Sequence, residues 1–155
     1  MTDTVTLHVA GAAVTIPAKT LTDLWLERVR AASAPTPAFV EPVIGKAFAG
    51  GLYAGLTVYE NAPRRLILLP GEFCGDWKAA TAWATDQGGE LPSRIDYLVL
   101  WASLKAEFRE AWYWCAESYA PDAASAWAQG FGNGGQVSYR KDLEFRARAV
   151  RRLPL

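Results

Sequence analysis

The chain is poor in the residues most enzymes lean on: one histidine, His8, and two cysteines, Cys74 and Cys115, far apart and in no CxxC or Cys/His cluster. That spacing excludes the usual zinc sites and histidine-based catalysis, so no metal and no cofactor is expected. Charge of one sign is also missing. Sixteen basic residues balance sixteen acidic ones, which argues against a generic grip on nucleic acid or an anionic membrane. There is no long apolar run, and the opening MTDTVTLHVAGAAVTI lacks the basic start and apolar stretch of a signal peptide. Cytoplasmic synthesis with reduced thiols and no membrane span is the expectation.

Aromatics, by contrast, are abundant. Six of the seven tryptophans fall between Trp77 and Trp127, so the aromatic core belongs to the later part of the chain. Basic residues gather at its end, where Arg140, Lys141, Arg146, Arg148, Arg151 and Arg152 face only Asp142 and Glu144. A solvated strand face is the expected reading of that run, and an anion or partner patch the alternative.

Val5 to Val9 and Val14 to Ile16 alternate around AGA, which predicts a small hairpin with His8 on its exposed side. A helix capped by Thr20 or Thr22 follows, with Leu21, Leu24, Trp25 and Val29 on one face. These elements, residues 1–34, are too small to bury their own apolar face. They are expected to dock or to form a homo-oligomer. Pro35, Pro37 and Pro42 mark a linker over 35–49.

Over 50–155 the pattern predicts a strand in LYAGLTVYE, a turn at NAPR and a fully buried strand at Leu66–Leu69. Asp76 should cap a helix from Trp77 to Asp86, packed through Trp77, Ala80 and Ala84 and stopped by Gly88-Gly89. Ser93 and Asp96 suggest a capping box for a second helix, packed through Ile95, Leu98, Val99 and Ala102. Arg94 falls in its first turn, where the helix dipole disfavours a cation, and should reach a carboxylate or carbonyls elsewhere. Strands follow in WYWCAES, SAWAQGF and QVSYR, the last two joined at Asn133-Gly134. In the first of these, Trp112, Trp114 and Ala116 share one face and Tyr113, Cys115 and Glu117 the other. Trp114 and Trp127 read as core, and Cys74 and Cys115 as buried, inert thiols. A final strand buries Leu143, Phe145, Ala147 and Ala149, with its alternation breaking at Val150.

Four segments, GGELPSRIDYLVL, WYWCAES, AWAQGFGNGGQ and KDLEFRARAVRRL, give Gly50 to Leu153 a resemblance to the family named for the C-terminal domain of a collagen-like bacterial adhesin. The resemblance implies an α+β, C-type lectin-like fold of two helices with antiparallel sheets, preceded here by the hairpin and helix. Cys115-Ala116 stands where that family carries two small hydroxyl residues. Calcium-binding lectins of this fold carry Glu-Pro-Asn or Gln-Pro-Asp with Trp-Asn-Asp; here Asp122 follows Pro121 alone, so calcium is not expected. The resemblance further implies a phage or prophage protein, in a host cytoplasm or a virion, that binds a protein or glycan on its last strands. By position, Glu117, Ser118, Tyr119, Gln129, Asn133, Gln136, Ser138 and Tyr139 would present the contact groups. The alternatives are a cysteine-dependent enzyme similar to the formylglycine-generating proteins and a purely structural assembly subunit.

Overall fold

The computed structural model describes residues 3–9, 12–32 and 40–155. The chain divides into two compact units, Met1–Val40 and Glu41–Leu155. In the smaller, β1 (Thr4–Val9) pairs antiparallel with β2 (Ala12–Pro17), and α1 (Ala18–Ala32) follows at once. The Thr6 and Thr15 hydroxyls hydrogen-bond across the hairpin, and His8 is exposed. Residues 10 and 11, in the expected turn, lie outside the described residues. Neither Thr20 nor Thr22 caps α1. The helix begins directly after Pro17, and the Thr22 hydroxyl donates instead to the Ala18 carbonyl one turn back.

The larger unit is α+β. Its strands are β3 (Ala47–Phe48), β4 (Gly51–Tyr59), β5 (Ala62–Leu68), β6 (Phe73–Gly75), β7 (Trp112–Ser118), β8 (Ser125–Gly130), β9 (Gln136–Arg140), β10 (Phe145–Ala147) and β11 (Val150–Leu153). Helices α2 (Trp77–Asp86) and α3 (Arg94–Leu104) separate β6 from β7. They form a five-stranded sheet ordered β6-β10-β7-β8-β9 and a four-stranded sheet ordered β11-β5-β4-β3. All pairings described are antiparallel except β10 with β7. Of the expected linker, residues 35–39 lie outside the description, whereas Glu41 binds Tyr53 and Arg65 and Ala47–Phe48 is β3, so 41–49 belongs to this unit.

Strands β5 and β7 are covered on both faces. Ile67 and Leu69 join Trp114, Ala80 and Ala84 in one core cluster, while Leu66 and Leu68 join Tyr113, Cys115, Tyr97, Leu100 and Phe131 in the other. This is why Leu66–Leu69 reads as an unbroken apolar run and why β7 carries aromatics on both sides. Its alternation is as expected, with Trp114 facing one cluster and Tyr113 and Cys115 the other. Ala116, on the Trp114 face, is exposed because β7 leaves its register with β8 between Trp114 and Ser118. The Ala116 amide donates to Pro92 instead, and both helices reach the freed stretch. Tyr97 of α3 donates to the Trp114 carbonyl (3.1 Å), and Trp77 of α2 to that of Cys115 (2.8 Å).

The caps follow the sequence. Asp76 accepts from the Ala79 amide, and the Gly88 and Gly89 amides close α2 on Thr85 and Ala84, with Gly88 at φ +73°. Ser93 and Asp96 complete both halves of their box. Asp96 is wholly buried, and its carboxylate also accepts from the Thr57 hydroxyl (2.6 Å) and from the Arg152 guanidinium (3.0 Å from Nε), tying α3 to β4 and β11.

Five expectations are corrected. Helix α3 packs through Tyr97, Leu100 and Leu104, not through Ile95, Leu98 and Ala102, which are exposed. Turning Asp96 inward to Arg152 rotates the Ile95 and Leu98 stripe out of the core. The β4–β5 hairpin turns at Glu60-Asn61 (φ 50° and 60°), one residue ahead of the expected Asn61–Arg64, because that pair of left-handed residues matches the strand twist. Residues 131–135, a longer loop than the Asn-Gly signal implies, connect β8 to β9, because Phe131 drops into the core before Gly134 turns the chain. Leu143 is exposed in the turn before β10. The terminal arginines do not form a solvated face: Arg146 pairs with Glu72, Arg152 with Asp96 and Glu90, and Arg148 and Arg151 bond backbone carbonyls. The break at Val150 is a change of sheet, from β10 in one to β11 in the other.

Asp96→Asn should lower unfolding free energy by about 3–5 kcal/mol, because it leaves the Arg152 cation buried and under-compensated. Phe131→Ala, which removes a ring stacked on Phe108 at 3.9 Å, should cost about 3–5 kcal/mol. Urea denaturation followed by tryptophan fluorescence measures both.

Candidate functional site

Where α3 begins, it lies along β7, β8 and β9 of the five-stranded sheet. Arg94, Ile95 and Leu98 of the helix, Glu117 of β7, Trp127 of β8 and Gln136 of β9 line an open groove of about 340 Å³. The strand register accounts for the strand residues. Trp127 pairs with Ser138 and Gln129 with Gln136, so these side chains project on the α3 side of the sheet.

Arg94 is the centre of the groove. Its guanidinium carbon sits 3.8 Å from the centroid of a Trp127 ring, within cation–π range. Its Nε donates to the Gln136 side-chain oxygen (3.0 Å). Gln136 in turn donates from its amide nitrogen to the Arg94 carbonyl (2.8 Å) and to the Gln129 side-chain oxygen (2.9 Å). The Arg94 amide donates to both oxygens of Glu117 (3.0 and 3.1 Å), so Glu117 supplies the negative charge that a helix N-terminus favours. The sequence led to a carboxylate or carbonyl for the Arg94 side chain; what it meets is an amide oxygen and an indole face. Its terminal nitrogens have no hydrogen-bond partner among the described residues, which leaves a planar, pre-oriented donor fork at the surface. Ile95 and Leu98, 49% and 55% exposed, give the groove an apolar flank.

The eight expected contact residues do not form one surface. Glu117 and Gln136 line the groove, Ser138 lies beside Trp127 in register, and Tyr119 packs edge-on against Trp127 at 5.3 Å. Gln129 is wholly buried, a correction to its expected display: it lies inside the sheet and holds Gln136 in place. Tyr139 is on the opposite face, against Trp112 and Phe145, because strand alternation puts it one residue out of phase with Ser138. Ser118 accepts from Lys141 at the far end of β7, and Asn133 caps the Gly135 amide in the β8–β9 loop. The sequence missed Ile95 and Leu98 as surface; Trp127, read as core, packs against the inner cluster but is only partly buried, its outer side lying beneath Arg94. A legible signal existed: α3 carries apolar residues on more than one stripe, more than a helix covered on one side can bury.

The thiols differ. Cys115 is buried and Cys74 exposed, and both are free, which corrects the expectation of two buried thiols. Cys74 surfaces because β6 is an edge strand of only three residues. Burial pushes the Cys115 thiol well above its ordinary pKa, with the Glu117 carboxylate adding to the effect, so it is held protonated and unreactive. Among the described residues no group of three or more His, Cys, Asp or Glu side chains is placed to hold a metal ion, and no helix is long and apolar enough to cross a membrane.

Titration with a chromogenic disulfide should detect one thiol, Cys74, in the native protein and a second only after denaturation. Fast modification of Cys115 in the native state would contradict the burial described above. No protein-family model matches the chain, and no curated protein matches it.

Proposed function

We propose that the chain is a non-catalytic phage or prophage binding protein, built on a C-type lectin-like domain, that recognises a partner protein through the Arg94–Trp127 groove. The lectin-like part rests on the resemblance and on order: the Leu-Pro-Ser-Arg segment opens α3, WYWCAES is β7, and AWAQGFGNGGQ spans β8 and its turn. The observation that carries the binding role is the Arg94 fork, stacked on Trp127, fixed by Gln136 and flanked by exposed Ile95 and Leu98. A rigid arginine beside apolar surface is the composition of an interface hot spot. It suits a loop or helix bearing a carboxylate next to an aliphatic side chain.

A protein fits better than a glycan, because Arg94 already covers the Trp127 face on which a sugar ring would stack. A thiol enzyme is less well supported. Cys115 is buried, and the larger unit contains no histidine to activate Cys74. In the N-terminal unit, Leu24, Trp25 and Val29 are exposed on one side of α1, and we assign that face to contact with a second copy of the chain. The charges of α1, Asp23 and Glu27 against Arg28 and Arg30, are self-complementary, as an isologous contact requires.

Leu98→Asp and Arg94→Ala should each weaken capture of a host-lysate partner by about 30-fold, roughly 2 kcal/mol, with the melting temperature nearly unchanged. Partner capture that survives both changes, yet is lost on changing Ser118 or Asn133, would move the interface elsewhere and sink the assignment. Trp25→Asp should shift the light-scattering mass toward the monomer; an unchanged mass would remove α1 from the contact.

A further inference from the structure

A second cavity, separate from the groove, holds an arginine with no counter-ion. Arg148 lies between β10 and β11, where the chain crosses from one sheet to the other, and is 9% exposed. Its guanidinium donates to the Glu107 carbonyl (2.7 Å) and, more distantly, to the Leu69 carbonyl (3.4 Å), and packs 5.2 Å from the Phe108 ring centroid. No carboxylate lies within ion-pair distance of it among the described residues, and its Nε is buried with no hydrogen-bond partner. Arg152, equally buried, has two carboxylates. A buried cation without a partner is costly, and folds rarely retain one that nothing compensates.

Arg148 lines a cavity of about 390 Å³ whose other walls are mainly apolar: Ala47, Leu52, Leu68, Leu69 and Pro70, with the Gly50-Gly51 backbone. The turn at Ala49-Gly50, with φ 49° and 84°, joins β3 to β4 beside the cavity, and a Cβ at Gly50 would meet nothing within 4 Å. Besides Arg148, the one ionisable lining residue is Glu107, which is exposed and uses its carbonyl, not its carboxylate, on Arg148. A single cation with no paired carboxylate suits a monoanion, and the nearby Glu107 charge at the rim disfavours a phosphate dianion. The apolar walls call for an apolar body behind the charge.

We propose that this cavity binds a small monoanionic amphiphile, an alkyl or aryl carboxylate, with the head group paired to Arg148 and the apolar body against Leu52, Leu68 and Leu69. The carboxylate supplies the missing counter-charge, and the guanidinium donors not taken by the two carbonyls bond it. Nothing in this depends on the partner proposed for the Arg94 groove.

The test is titration of the full-length chain with sodium decanoate and, separately, with decanol, followed by calorimetry and amide NMR. Decanoate should bind one-to-one, with shift changes centred on Gly50–Leu52, Leu68, Leu69 and Arg148, and decanol at least about tenfold more weakly. Arg148→Gln should abolish that preference. Because this change removes buried hydrogen bonds and can unfold the unit, Ala47→Phe provides the independent check: it fills the cavity from an exposed position and should weaken decanoate about tenfold with the melting temperature held. Equal binding of decanol, shift changes outside the cavity, no saturation, or decanoate binding unaffected by Ala47→Phe would each overturn the proposal.

Discussion

The buried Asp96–Arg152 pair is the contact on which the larger unit's arrangement depends. One carboxylate, wholly out of water, closes the N-terminus of α3 through Ser93, accepts a hydroxyl from β4 through Thr57, and meets the guanidinium of β11. Taking both charges out of water costs several kcal/mol per ion, and only near-complete hydrogen bonding offsets that. The bonds are present because three chain segments meet there in one geometry. The pair contributes little net stability against an apolar filling, but it makes alternative rotations of α3 expensive.

That fixed rotation has a direct functional effect. With Asp96 turned inward, Tyr97, Leu100 and Leu104 face the sheets, while Arg94, Ile95 and Leu98 face outward along the groove. Strand β7 fixes the other wall. It is clamped between helices by Trp77 and Tyr97, which donate to adjacent carbonyls from opposite faces where the ladder to β8 lapses. Groove residues therefore stand on elements with little freedom to shift, which lowers the ordering cost of binding.

Much of this was legible in the sequence where chemistry is local. Asp76, Ser93 and Gly88 announce helix ends because capping depends on residues within a few positions of one another. Alternation placed Trp114 and Cys115 on opposite faces of β7, and the broken pattern at Val150 marked the passage between sheets. What was not legible depends on distant partners. Ile95 and Leu98 looked like core because nothing near Asp96 reveals Arg152, 56 residues away. Gln129 looked like a contact residue because polar side chains usually face water, and only its pairing opposite Gln136 explains its burial. Arg146, Arg148, Arg151 and Arg152 likewise looked solvated until each was matched to a carboxylate or carbonyl from an earlier segment.

The change of sheet near Arg148 also bears on how the chain reaches its native state. Residues 145–153 supply β10, which sits between β6 and β7, and then β11, which pairs with β5. During synthesis the earlier hairpins and both helices emerge first, but neither sheet is complete, and Asp96 has no cation opposite it, until that segment leaves the ribosome. Such non-local closure predicts slow, late consolidation. Until then the β5 edge and the gap between β6 and β7 stay open to other strands. A nascent chain arrested before residue 145 would resemble a molecule in need of a chaperone more than a half-built domain.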